Sequence, residues 1–315
     1  MFKLNKYSCF AQVASGGHGT HRRLGRVLQI VGYGAWVLWG APGFLSAKTT
    51  FLPPPAPCAE DVELAVKRNH AADGTRARPL LIVLLADRKD HGNAGNNEHD
   101  YPLWQERWAL WLGGRGASSA QQVNLYGPLI DDIKMFDGAE KVRVERAWGW
   151  PSDEQFKSAD VIVAYCYLSW NDIRKQQIAK YLGRGGGLVC LHSATWTKPQ
   201  ADEAVVALCG VGGFKCYRHG EVAMERAAAH PISRDLPQVL QLCDESYWPL
   251  TPSAEVARVS VLATCNEKLD DKALMATPQA LFWIYEQGRG RVFSCVLGHY
   301  AWTFDDPWFR LWVRD

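Results

Sequence analysis

The chain has 315 residues, 47% of them hydrophobic, enough to bury one large core or two small ones. Its 35 Lys and Arg against 33 Asp and Glu leave a formal net charge of +2 with the basic residues scattered, which gives no electrostatic case for nucleic acid or an acidic partner. Nine dispersed cysteines without a Cys-x-x-Cys pair exclude a zinc ribbon, a dithiol motif and a disulfide scaffold.

Residues 1–50 differ from the rest. Lys3, Lys6, Arg22, Arg23 and Arg26 precede an apolar stretch from Val27 to Leu45, and Leu45-Ser46-Ala47 follows as a cleavage site. That layout predicts a signal peptide or an N-terminal anchor, hence an exported (periplasmic or secreted) or membrane-anchored protein. Residues 51–78 are a Pro-rich linker, opening with Phe51-Leu-Pro-Pro-Pro-Ala-Pro, and a polar segment. The ordered domain is predicted over 79–315.

The domain begins with Pro79–Ala86, an apolar run of strand length that reads as a central parallel strand. A polar loop, Asp87 to Asp100, leads into a helix from Tyr101 to Leu112 with Trp104, Trp108 and Leu112 on one face. A strand is predicted at Val142–Trp148, and a short helix follows, capped by Ser152 with Gln155 three residues on. Ala159–Tyr165 is the third strand, Asn171 caps a helix to Leu182, and Gly185–His192 is the fourth strand. Strand–helix–strand at this spacing predicts an α/β fold with a doubly wound, mainly parallel sheet and helices on both faces. Beyond residue 210 short strand candidates follow at Glu221–Glu225, Val239–Leu242, Val259–Thr264, Ala280–Tyr285 and Gly290–Val296, a mixed extension of the sheet. The stretch Trp308–Asp315 is helix-like and no capping or breaking signal precedes the end, which reads as a fragment lacking its last helix.

In open α/β sheets ligands bind beyond the carboxyl ends of the strands. His91 and the Glu98-His99 pair follow the first strand, His192 the fourth, and His299 the last. Imidazoles and a carboxylate at separate strand ends suit either a divalent metal such as zinc or general acid–base catalysis. Cys190 and Ala194, small residues two positions from His192, suit a sharp elbow with His192 at its tip. Asp244-Glu245 and Asp305-Asp306 read as helix caps, with sugar hydroxyls the alternative, and His219 and His230 read as turn residues. The chain lacks Gly-x-Ser-x-Gly, a P-loop and His-Glu-x-x-His, and Gly185-Gly186-Gly187 precedes its strand, so no nucleotide cofactor motif is present.

Asp90-His91-Gly92, Glu98-His99-Asp100-Tyr101, Gly185–Val189 with His192-Ser193-Ala194, His230-Pro231-Ile232, and Gly288–Phe293 with Gly298-His299 together resemble the trehalose-utilisation (ThuA-like) family, from about Pro79 to the end. The resemblance implies a flavodoxin-like, class I glutamine amidotransferase-like fold in which the elbow of true amidotransferases carries a cysteine. Here His192 stands at that position and His299 resembles the retained histidine partner, which argues against glutamine hydrolysis. The expected function is action on a trehalose-type disaccharide or a 3-keto-sugar, with a non-catalytic carbohydrate-binding or accessory module as the alternative. Catalytic residues are expected at His192, His299 and Glu98, substrate contacts at His91, Tyr101, Trp196 and Trp302, and metal ligands at His99, His192 and His299. The expected partners are a small-molecule carbohydrate, no nucleic acid, a membrane only through the N-terminal segment, and further copies of the chain in a homo-oligomer.

Overall fold

The computed structural model describes residues 8–9, 51–55, 80–90, 92–93, 95–113, 142–197, 202–211, 213–227, 229–233, 236–250, 259–270 and 272–314. The apolar N-terminal stretch, the polar segment 59–78 and His91 lie outside them. Among the described residues no helix is long and apolar enough to cross a membrane.

One sheet organises the molecule. Ser8–Cys9 (β1) forms a two-residue edge. Leu80–Ala86 (β2) is a run of Leu, Ile and Val buried at every position after the first. A strand covered on both faces needs such a continuous apolar run, and each large side chain buried in it contributes about 1.5–3 kcal/mol. The helix Tyr101–Gly113 (α1) follows and buries Trp104, Trp108 and Leu112, the expected face. Val142–Trp148 (β3) and Val161–Ala164 (β4) lie parallel on either side of β2. Between them Asp153–Ser158 (α2) carries the expected capping box of Ser152 and Gln155. Asp172–Gly183 (α3) starts where the Asn171 side chain accepts from the Arg174 backbone N–H at 2.9 Å. Gly187–Leu191 (β5) then pairs parallel with β4.

After β5 the rhythm changes. Glu203–Cys209 (α4) precedes four long strands: Cys216–Arg226 (β6), Val239–Trp248 (β7), Val259–Glu267 (β8) and Thr277–Gln287 (β9). Gly290–Cys295 (β10) returns beside β5, parallel to it, and Pro307–Arg314 (α5) follows. The order across the sheet is β1-β6-β8-β9-β10-β5-β4-β2-β3, with β7 paired to β6.

This corrects the expectation of a flavodoxin-like, mainly parallel sheet. Only β3-β2-β4-β5-β10 is parallel, with four pairings, while five pairings are antiparallel. The parallel five do run in the order second, first, third, fourth, fifth along the chain, the doubly wound order of an open α/β sheet. The antiparallel half arises because β6 to β9 are inserted before β10. The β9–β10 turn spans only Gly288 and Arg289, and a link that short permits only antiparallel pairing. The carboxyl ends of β2, β5 and β10 therefore open on one edge of the sheet.

Candidate metal centre

His192 sits immediately after β5, where the chain turns from strand into a 3-10 turn, His192–Thr195. Its φ is +46°, and that of His99, in the loop after β2, is +44°. A left-handed conformation is costly for a residue with a Cβ and persists where the surroundings impose it, most often at functional sites. Gly298, with φ +124°, lets the loop after β10 approach: a Cβ there would come within 2.5 Å of the Phe304 ring and 3.3 Å of the His192 Cβ. His299 follows that glycine, and its backbone carbonyl accepts from the His99 N–H at 2.9 Å.

These three loops bring the imidazoles together. His99 Nε2 lies 2.8 Å from His192 Nε2, and the His299 ring stands edge-on to both, 4.5 and 5.4 Å away by centroid. The fourth member is Glu245 on β7, whose Oε2 lies 2.9 Å from His299 Nδ1 and 3.5 Å from His192 Nε2. All four are buried, and one ligand atom from each falls within 4.8 Å of the others.

The outward nitrogens assign the tautomers. His192 Nδ1 lies 2.6 Å from the Val296 carbonyl oxygen, which only accepts, so Nδ1 carries the proton. His99 Nδ1 lies 2.7 Å from Asp90 Oδ1, which makes it a donor as well. Neutral rings of this kind present bare lone pairs at both Nε2 atoms, 2.8 Å apart. Burial, with His99 and His299 close by, holds His192 well below the usual imidazole range, so a proton between the rings is disfavoured. The Tyr247 hydroxyl, 3.0 Å from His192 Nε2, also donates to Glu245 Oε2 at 2.7 Å. Tyr101 donates to Asp90 Oδ2 at 2.6 Å and stands 2.7 Å from Ser193 Oγ, so it orients the carboxylate that orients His99.

Asp244, the neighbour of Glu245, fixes the loop after β10. Its carboxylate accepts from the Gly298 and His299 backbone N–H groups, each at 2.9 Å, and from the Thr303 hydroxyl. Burial pushes this carboxyl up to about 7 against the pull of those bonds. Cys190, one residue below the elbow in β5, is buried, and its thiol is pushed well up by a hydrogen bond with Cys209 and by burial. It is not a poised nucleophile.

A family model described as ThuA, trehalose utilisation, matches residues 119–315. The chain belongs to the ThuA family. The match covers His192, Glu245 and His299, while β2, Asp90 and His99 precede it. A solved structure described as a ThuA-like protein from Bacteroides uniformis ATCC 8492 is 17% identical, with a TM-score of 0.52 over 78% of this ThuA-family chain and 93% of that one. A second, from Parabacteroides merdae ATCC 43184, is also 17% identical, with a TM-score of 0.45 over 70% and 80%. The first shows a shared fold. No curated protein sequence matches this ThuA-family chain significantly.

The structure brings together three of the expected residues, His99, His192 and His299; His91 lies outside the described residues, and the others do not join the cluster. Glu98 is turned away: its carboxylate accepts from the Asn96 amide at 2.9 Å and it does not join the cluster, where Glu245 supplies the carboxylate. Trp302 is buried, stacked on Tyr300 at 4.2 Å, with its indole N–H on the Cys243 carbonyl, and so offers no face to a sugar. Tyr101 is buried and acts through Asp90. Trp196 is half-buried beside Phe214 and Tyr247, near the cluster. In the sequence Tyr247 and Asp90 have no site role and Glu245 only that of a cap or a contact to sugar hydroxyls. One signal is present: Asp244-Glu245 directly follows Cys243 beyond the predicted strand Val239–Leu242, and the strand continues through both acids, which are buried and therefore need partners.

Proposed function

We propose that this ThuA-family protein holds a divalent metal such as zinc on His99, His192, Glu245 and His299, and acts on a sugar or sugar derivative of the trehalose or 3-keto-sugar class. The observation that carries the metal is the pair of facing Nε2 lone pairs. Two bare imidazole nitrogens 2.8 Å apart repel unless a cation or a shared proton lies between them, and burial leaves His192 poorly disposed to take that proton. Three imidazoles and one carboxylate are a donor set that zinc accepts. Glu245 adds a negative charge that a buried site retains only with a cation or donors beside it.

When bound, such a metal supplies Lewis-acid polarisation and lowers the pKa of a coordinated water. The chain's own residues do the rest. Asp90 and the Val296 carbonyl hold the two Nδ1 protons outward. Tyr247, whose phenol burial keeps protonated, is a hydrogen-bond donor at the centre of the site. Half-buried Trp196 stacks on Phe214, which stacks in turn on Tyr247, an aromatic wall beside the cluster of the kind that lines sugar sites. Glutamine hydrolysis does not fit, because the elbow presents an imidazole and the nearest thiol is buried with its pKa pushed up. The sugar class rests on the family's description together with this aromatic wall. The basic-then-apolar N-terminal layout supports an exported or membrane-anchored location.

Metal analysis of the purified chain, followed by zinc titration after chelation, tests the proposal. One equivalent is expected, and His192→Ala should lose it while keeping its circular-dichroism spectrum. A folded wild-type chain that takes up no divalent metal overturns the metal reading. Binding of trehalose or its 3-keto derivative without turnover would leave a carbohydrate-binding module in place of the enzyme.

A further inference from the structure

Glu245 faces two ways. Its Oε2 is turned into the cluster, towards His299 Nδ1 and Tyr247, whereas its Oε1 points to His219 Nε2 at 3.4 Å. His219 stands directly opposite Glu245 in the β6–β7 ladder, the register position at which cross-strand side chains meet. Its ring also packs edge-on against His299, at 4.8 Å and 78°. The remaining nitrogen, Nδ1, lies 3.2 Å from the Tyr300 hydroxyl, and the Phe51 ring stacks on the outer side at 5.9 Å and 21°. The side chain of His219 is 27% exposed, against at most 7% for the four clustered residues, so it forms the outer wall of the site.

We infer that His219 is a positioning residue for the metal centre: its Nε2–H holds Glu245 Oε1, so that only Oε2 is presented to the cation. The inference rests on the metal reading above. With the Tyr300 hydroxyl as the donor to Nδ1, 3.2 Å away, the ring's N–H is at Nε2, the nitrogen that faces the carboxylate. The 3.4 Å separation is long for a hydrogen bond. Hydrogen bonds at unloaded sites are often long and tighten when the site is filled. A carboxylate free to turn would alternate its two oxygens and weaken the site, which is why outer partners of metal ligands matter almost as much as the ligands. A histidine in this place closes the ligand set against solvent without entering it, and Phe51 stacks on its ring.

The test compares the wild-type chain with His219→Ala and His219→Gln by competition of zinc against a chromogenic chelator, and follows the melting temperature of the chelator-treated proteins. Gln carries an N–H close to the position of Nε2, whereas Ala carries none. His219→Ala is expected to weaken zinc binding by about 10–100-fold, His219→Gln to recover most of it, and both metal-free melting temperatures to stay at the wild-type value. Wild-type affinity in His219→Ala overturns the inference and leaves the metal reading standing. Equal losses in both variants, or a loss that tracks a fall in metal-free melting temperature, overturn it as well. A wild-type chain that binds no zinc overturns both readings.

Discussion

At the scale of single residues, the site depends on where four protons are kept. His192 and His99 each spend their Nδ1–H on an outward acceptor, and Tyr101 and Tyr247 donate to the carboxylates of Asp90 and Glu245. Removing the acceptor on His99 should loosen that ring. Asp90→Ala is expected to lower zinc affinity about 10–100-fold with Asp90's 25% exposed side chain leaving only a shallow gap; equilibrium competition against a chelator measures it. The depressed pKa of His192 also has a sign. Its folded-state value lies below the ordinary 6.5, so folding favours the neutral ring. That contribution is fully present above pH 6.5 and is lost as the pH falls towards the folded-state value. Urea unfolding of the metal-free chain should therefore show its stability relative to His192→Gln falling as the pH drops below 6.5.

At the scale of elements, α1 follows the loop that carries His99, and the turn Ala301–Asp305 follows His299. The two are joined by ions. Asp305, buried, meets Arg107 of α1 at 2.6 Å and Arg310 of α5 at 3.1 Å. Replacing Asp305 by Ala would leave two buried guanidiniums without that carboxylate. A loss of about 3–5 kcal/mol is expected from urea unfolding, the cost typical of breaking a buried pair by removing one partner. The elements were largely legible in sequence, because their signals are local. The apolar run of β2, the caps at Ser152 and Asn171, and the Gln287–Gly290 turn each declare themselves within a few residues. The lengths of β6 and β7 were not. Expected to begin at Glu221 and to end at Leu242, these strands run from Cys216 and to Trp248. Arg218, His219 and Gly220 on one and Asp244 and Glu245 on the other break the apolar pattern, because Glu245 faces the site, His219 faces Glu245, and Asp244 faces the loop after β10. The three histidines are legible because each lies at or after the end of a predicted strand, His192 and His299 closely and His99 near the end of the polar loop after β2. Glu98 was preferred to Glu245 because sequence proximity to His99 says nothing about which way a neighbouring side chain turns.

At the scale of the molecule, a parallel half supplies three histidines and an antiparallel insertion supplies the carboxylate. A ligand that bridges the two should tie them together. Zinc at about a hundredfold above its dissociation constant should add about 2.7 kcal/mol to unfolding, raising the melting temperature relative to chelator-treated protein, and His192→Ala should abolish the rise. Differential scanning calorimetry reads both.

The loop after β10 has a consequence for how the chain is made. His299 is the last of the four residues to leave the ribosome, 200 positions after His99. It follows the strand that closes the gap between β5 and β9. A nascent chain that has extruded Glu245 but not His299 lacks one ligand and the strand that holds the two halves of the sheet in register. Pairings at such sequence separations are slow to close, so a metal held by all four residues would not template the early steps of folding. It would arrive as the last part, and its uptake would report that β10 has been made and paired.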